Sequence, residues 1–343
     1  MPSTKLVLID GNAIMHRAYH ALPSSMTTKK GKPINAVYGL VLMLLKVITD
    51  LSPTHIAFAF DRPEPTFRKK ILVDYQGHRP EMDSDLSVQF KIAQDVIKSF
   101  GIPVYDKAGY EADDVIGTIA SQVVKTDYGG LKSDDEVGKK NIEDRSSDIK
   151  FQTSSRASNL KRQSSVDEVV IVTGDRDMLQ LVSDRDRVRL YMPVKGLSEA
   201  KLFGQEQTIE RMGVPSSQIV DFKALVGDPS DNYKGVPGIG PKTAVKLLEE
   251  YGTLENIYKN LAKLPEKTRT LLQKNKDSAY VSQKLAVIVR DVSVNIDLKE
   301  MGKWELNKKQ VFEVFDKIGF KTLGKRVKKL GEEIAKEKQM TLV

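Results

Sequence analysis

Short apolar runs recur along the chain, and each ends in an acidic turn. Residues 5–9 (KLVLI) read as a buried strand that runs into Asp10-Gly11-Asn12 and an apolar helix. Residues 55–60 (HIAFAF) end at Asp61, and residues 102–105 lead into Tyr110-Glu111-Ala112-Asp113-Asp114, the opening of a helix expected to reach about Val124. Residues 168–172 (EVVIV) end in Thr173-Gly174-Asp175-Arg176-Asp177. This alternation of strand and helix predicts an α/β fold with a mostly parallel central sheet covered by helices on both faces. Farther on the pattern turns helical: 216–226 and 241–251 read as helices, and 307–330 as amphipathic helices with Phe312, Phe315, Ile318 and Phe320 in a core. We therefore expect an α/β unit over 1–205, a helical unit over 206–330 and a flexible tail over 331–343.

In open α/β sheets ligands bind in the crevice outside the carboxyl ends of the strands. Asp10, Asp61 and Asp175 stand at such ends, and Glu111 to Asp114 begin the helix after another. One such Asp is most simply a turn former or helix cap. Several in one crevice cannot all stay ionised without a compensating cation or raised pKa values. They fall into two groups, Asp10, Asp61, Glu111 and Asp113 early in the chain and Asp175, Asp177, Asp228 and Asp231 later. That is oxygen enough for two hard divalent ions, Mg²⁺ or Mn²⁺. Two ions about 4 Å apart suit phosphodiester hydrolysis.

Asp228 and Asp231 lie in a glycine-rich segment, Gly227-Asp-Pro-Ser-Asp-Asn-Tyr-Lys-Gly-Val-Pro-Gly-Ile-Gly-Pro-Lys-Thr-Ala244, set between the two helices. Gly235, Gly238 and Gly240 allow a tight turn and close approach of the backbone to a ligand, and Pro241 suits a first helical turn. Turn amides and the helix N-terminus, with Lys242 and Thr243, make an anion site fitted to a DNA phosphate.

Composition narrows the chemistry further. The 343 residues include no cysteine, which removes disulfides, thiol nucleophiles and Cys-type zinc sites. Of the four histidines only His16 and His20 have zinc-like spacing, and no Glu stands between them. The net charge of +8 is compatible with a polyanionic partner. No P-loop motif is present, the longest apolar stretch (36–45) is too short for a bilayer, and residues before Asp10 form no signal-peptide core. The expectation is an intracellular, cytoplasmic protein. No coiled-coil seam appears, so a monomer is expected.

With these motifs in hand, the sequence resembles the 5′-nuclease family: the 5′→3′ exonuclease region of bacterial DNA polymerase I and its phage and flap-endonuclease relatives. Leu8-Ile-Asp-Gly-Asn12, Phe58-Ala-Phe-Asp61, Glu111-Ala-Asp-Asp114, Thr173-Gly-Asp-Arg-Asp177 and 227–244 stand in the family's order. The resemblance implies a PIN-like, resolvase-like nuclease core followed by a helix–three-turn–helix (helix-hairpin-helix) unit that grips duplex backbone and often a monovalent cation such as K⁺. It implies that the acids named above form the metal site, with Asp114 a further carboxylate in or beside it. It also makes 62–100 a helical arch over the free 5′ strand, in which Arg68, Lys69, Lys70 and Arg79 meet phosphates and Tyr75 stacks on an unpaired base. Arg17 and His20 resemble other substrate contacts, and Arg68 and Arg79 match arginines near the scissile phosphate. The activity implied is structure-specific, metal-dependent 5′→3′ exonuclease or flap-endonuclease hydrolysis of DNA, and of RNA–DNA hybrid, in primer removal and repair, coupled to a DNA polymerase.

Two departures stand out. The family pattern Tyr-Lys-x-x-Arg reads Tyr75-Gln76-Gly77-His78-Arg79 here, so a lysine charge is missing. Reduced turnover is expected, and the rival reading is a weak or inactive DNA-junction binding module. The other departure is an insert over about 125–166, rich in Ser, Lys, Arg and Asp, which reads as a disordered loop or, through Arg156, Lys161 and Arg162, a basic arm. No polymerase or proofreading segment follows residue 330, so we expect a free-standing nuclease or a shortened gene product. A third reading, a two-metal phosphatase acting on small substrates, needs neither the arch nor the hairpin.

Overall fold

The computed structural model describes residues 3–124, 165–196 and 199–340. Except for its last two residues, the 125–166 insert lies outside the described residues. Val166 bridges Val124 in parallel.

The sheet holds six strands: β1 (Lys5–Asp10), β2 (His55–Ala59), β3 (Val104–Tyr105), β4 (Glu168–Val172), β5 (Val188–Lys195) and β6 (Glu199–Phe203), in the order β3-β2-β1-β4-β5-β6. Its pairings are parallel except β5–β6, an antiparallel hairpin at one edge. The hairpin was not foreseen, because Arg189 and Pro193 interrupt β5 in a way that argues against a buried strand. β1 lies between β2 and β4, with Leu6 and Leu8 on one face and Val7 and Ile9 on the other, all nearly inaccessible to solvent. Such two-sided burial is why the central strands read as unbroken apolar runs.

Helices α1 (Gly11–Ala21), α2 (Asn35–Leu51), α3 (Phe67–Ile71), α4 (Ser84–Ser99) and α5 (Ala112–Val123) alternate with the first strands. Helices α6 (Gln205–Met212), α7 (Ile219–Val226), α8 (Pro241–Tyr251), α9 (Leu254–Lys259), α10 (Glu266–Lys274) and α11 (Lys276–Ala286) follow the sheet. The chain then adds α12 (Leu298–Met301), α13 (Lys309–Ile318) and α14 (Lys321–Met340). On one sheet face Leu6 and Leu8 join Val115 and Ile119 of α5, and this core continues into Leu225, Ala244 and Leu248 of the helical part. On the other face Val7 and Ile9 join Leu40 and Leu44 of α2, Val96 of α4, and Val311, Phe315, Leu323 and Val327 of α13 and α14. The last helices therefore pack against the α/β body rather than the 206–286 helices with which the sequence grouped them. Phe315 and Phe320 are core, whereas Phe312 and Ile318 are half-buried.

The 331–343 tail is corrected as far as Met340, which closes α14. Leu330 and Ile334 extend the stripe of Leu323 and Val327 onto the same core, so the apolar period continues where a tail was expected. Among the described residues no helix is long and apolar enough to cross a membrane.

Candidate metal and nucleic-acid site

The carboxyl ends of β1, β2 and β4 deliver Asp10, Asp61 and Asp175 to one rim, and the start of α5 adds Glu111 and Asp113. All five line a cleft of about 620 Å³, which Asp177 and Asp231 also reach. Asp10 caps α1, accepting from the Ala13 amide at 2.9 Å and from the Thr173 hydroxyl at 2.8 Å. Asp61 accepts from the Ala112 amide at 2.7 Å. Asp175 accepts from the Asp177 amide at 2.8 Å.

Charge at this rim is under-compensated. Burial, reinforced by Asp61 and Asp175, raises the Asp10 carboxyl to about 7. Burial raises Glu111 to about 7 against the opposing pull of Arg68. Asp113 is pushed well above its ordinary value by burial and then by Asp175, Asp10, Glu111 and Asp61. The protein packed around Asp61 raises it as well. Asp175 thus acts on the early acids as well as on Asp177, so the two groups read from the sequence meet at this residue.

A second cleft, of about 600 Å³, shares Ala13, Asp175 and Asp177 with the first and adds Arg17, Arg176, Lys223 and Asp228. Between the two clefts, Asp177, Asp228 and Asp231 each offer an oxygen within 4.8 Å of the others. The Lys223 ammonium donates to both Asp177 and Asp228. Although burial works against its charge, these two acids raise Lys223 to about 12. The acids respond differently. Burial and Asp175 raise Asp177 to about 7. Asp228 resists burial and is held below the usual carboxylate range by Lys223 together with the Ser230 hydroxyl and amide.

The glycine segment supplies Asp228 and Asp231 and turns where its backbones nearly touch. A side chain on Gly235, at φ +60°, would begin 2.3 Å from the Gly227 amide nitrogen. Ser278 donates to the Gly235 carbonyl at 2.7 Å and Ser282 accepts from its amide at 3.1 Å, seating the turn on α11. Pro241 opens α8 after the Gly240 cap, and Lys242 and Thr243 stand exposed in its first turn. Gly238, at φ +94°, completes the bend.

Several expected roles need correction. Asp114 lines neither cleft. It is fully buried and accepts from Arg68 at 2.7 and 2.9 Å, from the Val289 amide at 2.9 Å and from the Glu111 amide at 3.1 Å, which leaves no oxygen edge for a metal. Arg68 is consumed in the same way: only 3% exposed, it also donates to the Leu285 carbonyl at 3.0 Å and the Val287 carbonyl at 2.8 Å. It lines the first cleft, but these contacts make it a tie between α3, α5 and the end of α11. Tyr75 is 2% exposed and donates to Asp231 at 3.2 Å, so it cannot stack on a base in this arrangement.

Gln76, at φ +55°, joins the same contact: its side-chain amide donates to Asp231 at 3.1 Å and its backbone amide to the Asp231 carbonyl at 3.0 Å. Arg79 donates to Asp231 at 2.7 Å. Lys69 lines the first cleft, Lys70 and His20 are exposed, and Arg17 lines the second cleft while donating to the Gly196 carbonyl at 2.7 Å.

Lys223 and Arg176, which line the second cleft, are site residues that sequence reasoning missed. Lys223 had a signal: a lysine in the otherwise apolar end of α7 must find a partner or a ligand.

Comparison with known proteins matches this geometry. The family profile described as "5'-3' exonuclease, N-terminal resolvase-like domain" matches residues 5–133, and that described as "5'-3' exonuclease, C-terminal SAM fold" matches 214–310. The chain belongs to the 5'-3' exonuclease family. It is 37% identical over 323 residues to DNA polymerase I of Caldicellulosiruptor bescii, which covers 94% of this chain and 33% of that protein. It is 32% identical over 336 residues to DNA polymerase I of Bacillus subtilis, covering 98% and 33%. The chain thus spans about a third of the length of these curated relatives.

Among solved structures, the bacteriophage T5 D15 flap endonuclease in a pseudo-enzyme-product complex with DNA and metal ions superposes with a TM-score of 0.59 at 18% identity, covering 97% of this chain and 99% of that one. The T5 D15 protein co-crystallised with metal ions gives 0.57 at 17% identity, covering 96% and 98%. These likenesses establish a shared fold. The family is one of nucleases, and the carboxylate-rich clefts agree with its dependence on divalent metal.

Proposed function

We propose that this chain hydrolyses phosphodiester bonds near nucleic-acid 5′ ends, at the junction of duplex and single strand, with two Mg²⁺ or Mn²⁺ ions. One observation carries the reading: the acids of the sheet rim and those of the glycine hairpin share one pair of clefts, joined through Asp175 and Asp177. The donor set fits such ions, since carboxylate oxygens dominate it and its crowded acids favour added positive charge. Asp10, Asp61, Glu111, Asp113 and Asp175 would hold one ion, and Asp177, Asp228 and Asp231 another. Bound there, the ions would activate water and offset charge on the leaving oxygen.

The chain's own cations do the rest. Arg17, Arg176 and Lys69 line the clefts and would draw phosphates toward the acids. Lys223 neutralises part of the charge between Asp177 and Asp228. The hairpin amides, with Lys242 and Thr243, would grip duplex backbone, and a monovalent cation such as K⁺ would bind at the turn as the family resemblance implies. The partners would be DNA with 5′ flaps or ends, and RNA–DNA hybrid during primer removal and repair, alongside a DNA polymerase activity of the kind its relatives' name describes. The chain would act as a cytoplasmic monomer. Gln76 leaves every carboxylate in place, so nothing in the site favours an inactive binding module.

A labelled 5′-flap substrate tests this. With Mg²⁺, the wild-type chain is expected to cut near the junction, and Asp175→Ala to cut about 1,000-fold more slowly while still retarding the flap DNA in a gel. Binding without cleavage by the wild-type chain, with either metal, would overturn the reading.

A further inference from the structure

Tyr233 is pinned opposite Asp228 by two backbone hydrogen bonds, at 2.8 and 3.1 Å. Its ring packs with Tyr75, Leu285 and Ala286, and only 5% of the residue is exposed. Its hydroxyl is buried and has no hydrogen-bond partner among the described residues. The acidic charges acting on that phenol belong to Asp177, Asp228 and Asp231, the three acids whose oxygens converge. The polar groups around it are already engaged. Lys223 is shared by Asp177 and Asp228, Ser230 donates to Asp228, and Asp231 accepts from Tyr75, Gln76 and Arg79.

A buried hydroxyl placed among acids and bonded to none of them is costly unless something else meets it. We propose that Tyr233 is a positioning residue for the cation held by Asp177, Asp228 and Asp231, its phenol oxygen accepting a hydrogen bond from that cation's hydration water. Hydrated divalent ions of the magnesium type keep several waters, and groups beyond the direct ligands orient what the ligands hold. An apolar residue of similar size at position 233 would fill the same space and leave that water unanchored. The inference rests on the function proposed above, and it adds a residue with no carboxylate and no charge to the cation's surroundings.

Mn²⁺ titrations of the full chain without DNA, followed by electron paramagnetic resonance, provide the test, together with melting curves of the metal-free protein. Tyr233→Phe is expected to weaken the affected Mn²⁺ site about 10-fold while the metal-free melting temperature stays equal or rises. Tyr233→Leu, which also removes the ring, should weaken that site at least as much. Wild-type Mn²⁺ affinity in Tyr233→Phe, or in Tyr233→Leu, would overturn the role of the hydroxyl. A wild-type chain that takes up no Mn²⁺ would instead overturn the function on which the inference depends.

Discussion

Asp113 and Asp114 are neighbours in the first turn of α5, yet they live in opposite electrostatic worlds. Asp113 faces Asp10, Asp61, Glu111 and Asp175, and its carboxyl is driven far upward. Asp114 faces inward to the Arg68 fork and two backbone amides. An acid with no compensating cation marks where a ligand is wanted; an acid whose oxygens are all engaged marks the frame that holds the ligand site. One helix turn therefore serves both purposes, and a motif that lists the two side by side cannot separate them.

Removing each acid in turn separates the two roles. Asp114→Ala strips the buried Arg68 of its bidentate partner, leaving only the longer contact to Glu111 at 3.4 Å, and is expected to cost about 3–5 kcal/mol in denaturant unfolding. Asp113→Ala relieves repulsion, so without metal it should leave stability unchanged or raise it while abolishing cleavage. If Asp114→Ala proved harmless to folding, the frame role would be lost. Replacing Arg68 and Asp114 together by Met and Leu should recover most of the deficit.

Proton linkage probes the same contrast from the ligand side. Asp10, Glu111 and Asp177 bind protons more tightly folded than unfolded, with folded values of about 7 against ordinary values of about 4. Because the native state holds more protons in that window, its stability falls as pH rises from about 4 to 7. Metal-free protein should therefore lose stability between pH 5 and pH 8 by calorimetric melting, by about 2–3 kcal/mol for each of these groups that titrates independently. Mn²⁺ should flatten the slope, since it replaces those protons. A metal-free profile that rises over this range would contradict the electrostatics.

The smallest effect concerns Gln76. Its amide shares Asp231 with Tyr75 and Arg79, so a longer ammonium has room only by reaching past that acid toward the cleft. Gln76→Lys is expected to raise flap cleavage about 3–10-fold, a gain of about 1 kcal/mol in transition-state stabilisation. Equal or lower single-turnover rates would show that the neutral amide is the better fit here.

How much of this was legible beforehand depends on the range of the interaction. β1, β2 and β4 could be read because two-sided burial writes an apolar run, and Asp10, Asp61 and Asp175 because a turn at a strand's carboxyl end is a local event. The edge hairpin of β5 and β6 could not, since Arg189 and Pro193 break the run that marks a buried strand. The fates of Arg68 and Tyr75 were equally hidden. Arg68 finds Asp114 46 positions away and the Leu285 carbonyl 217 positions away, and Tyr75 finds Asp231 across 156. A basic, aromatic stretch looks the same whether its side chains face solvent or lock two parts of the chain together.

Asp175 and Asp177 are reached from both clefts, and this bears on the length of what can be processed. Under the proposed function a strand lying across both clefts would meet the same acids from either side, so the size of the fragment released would be set by where the duplex stops and not by the volume of either cleft.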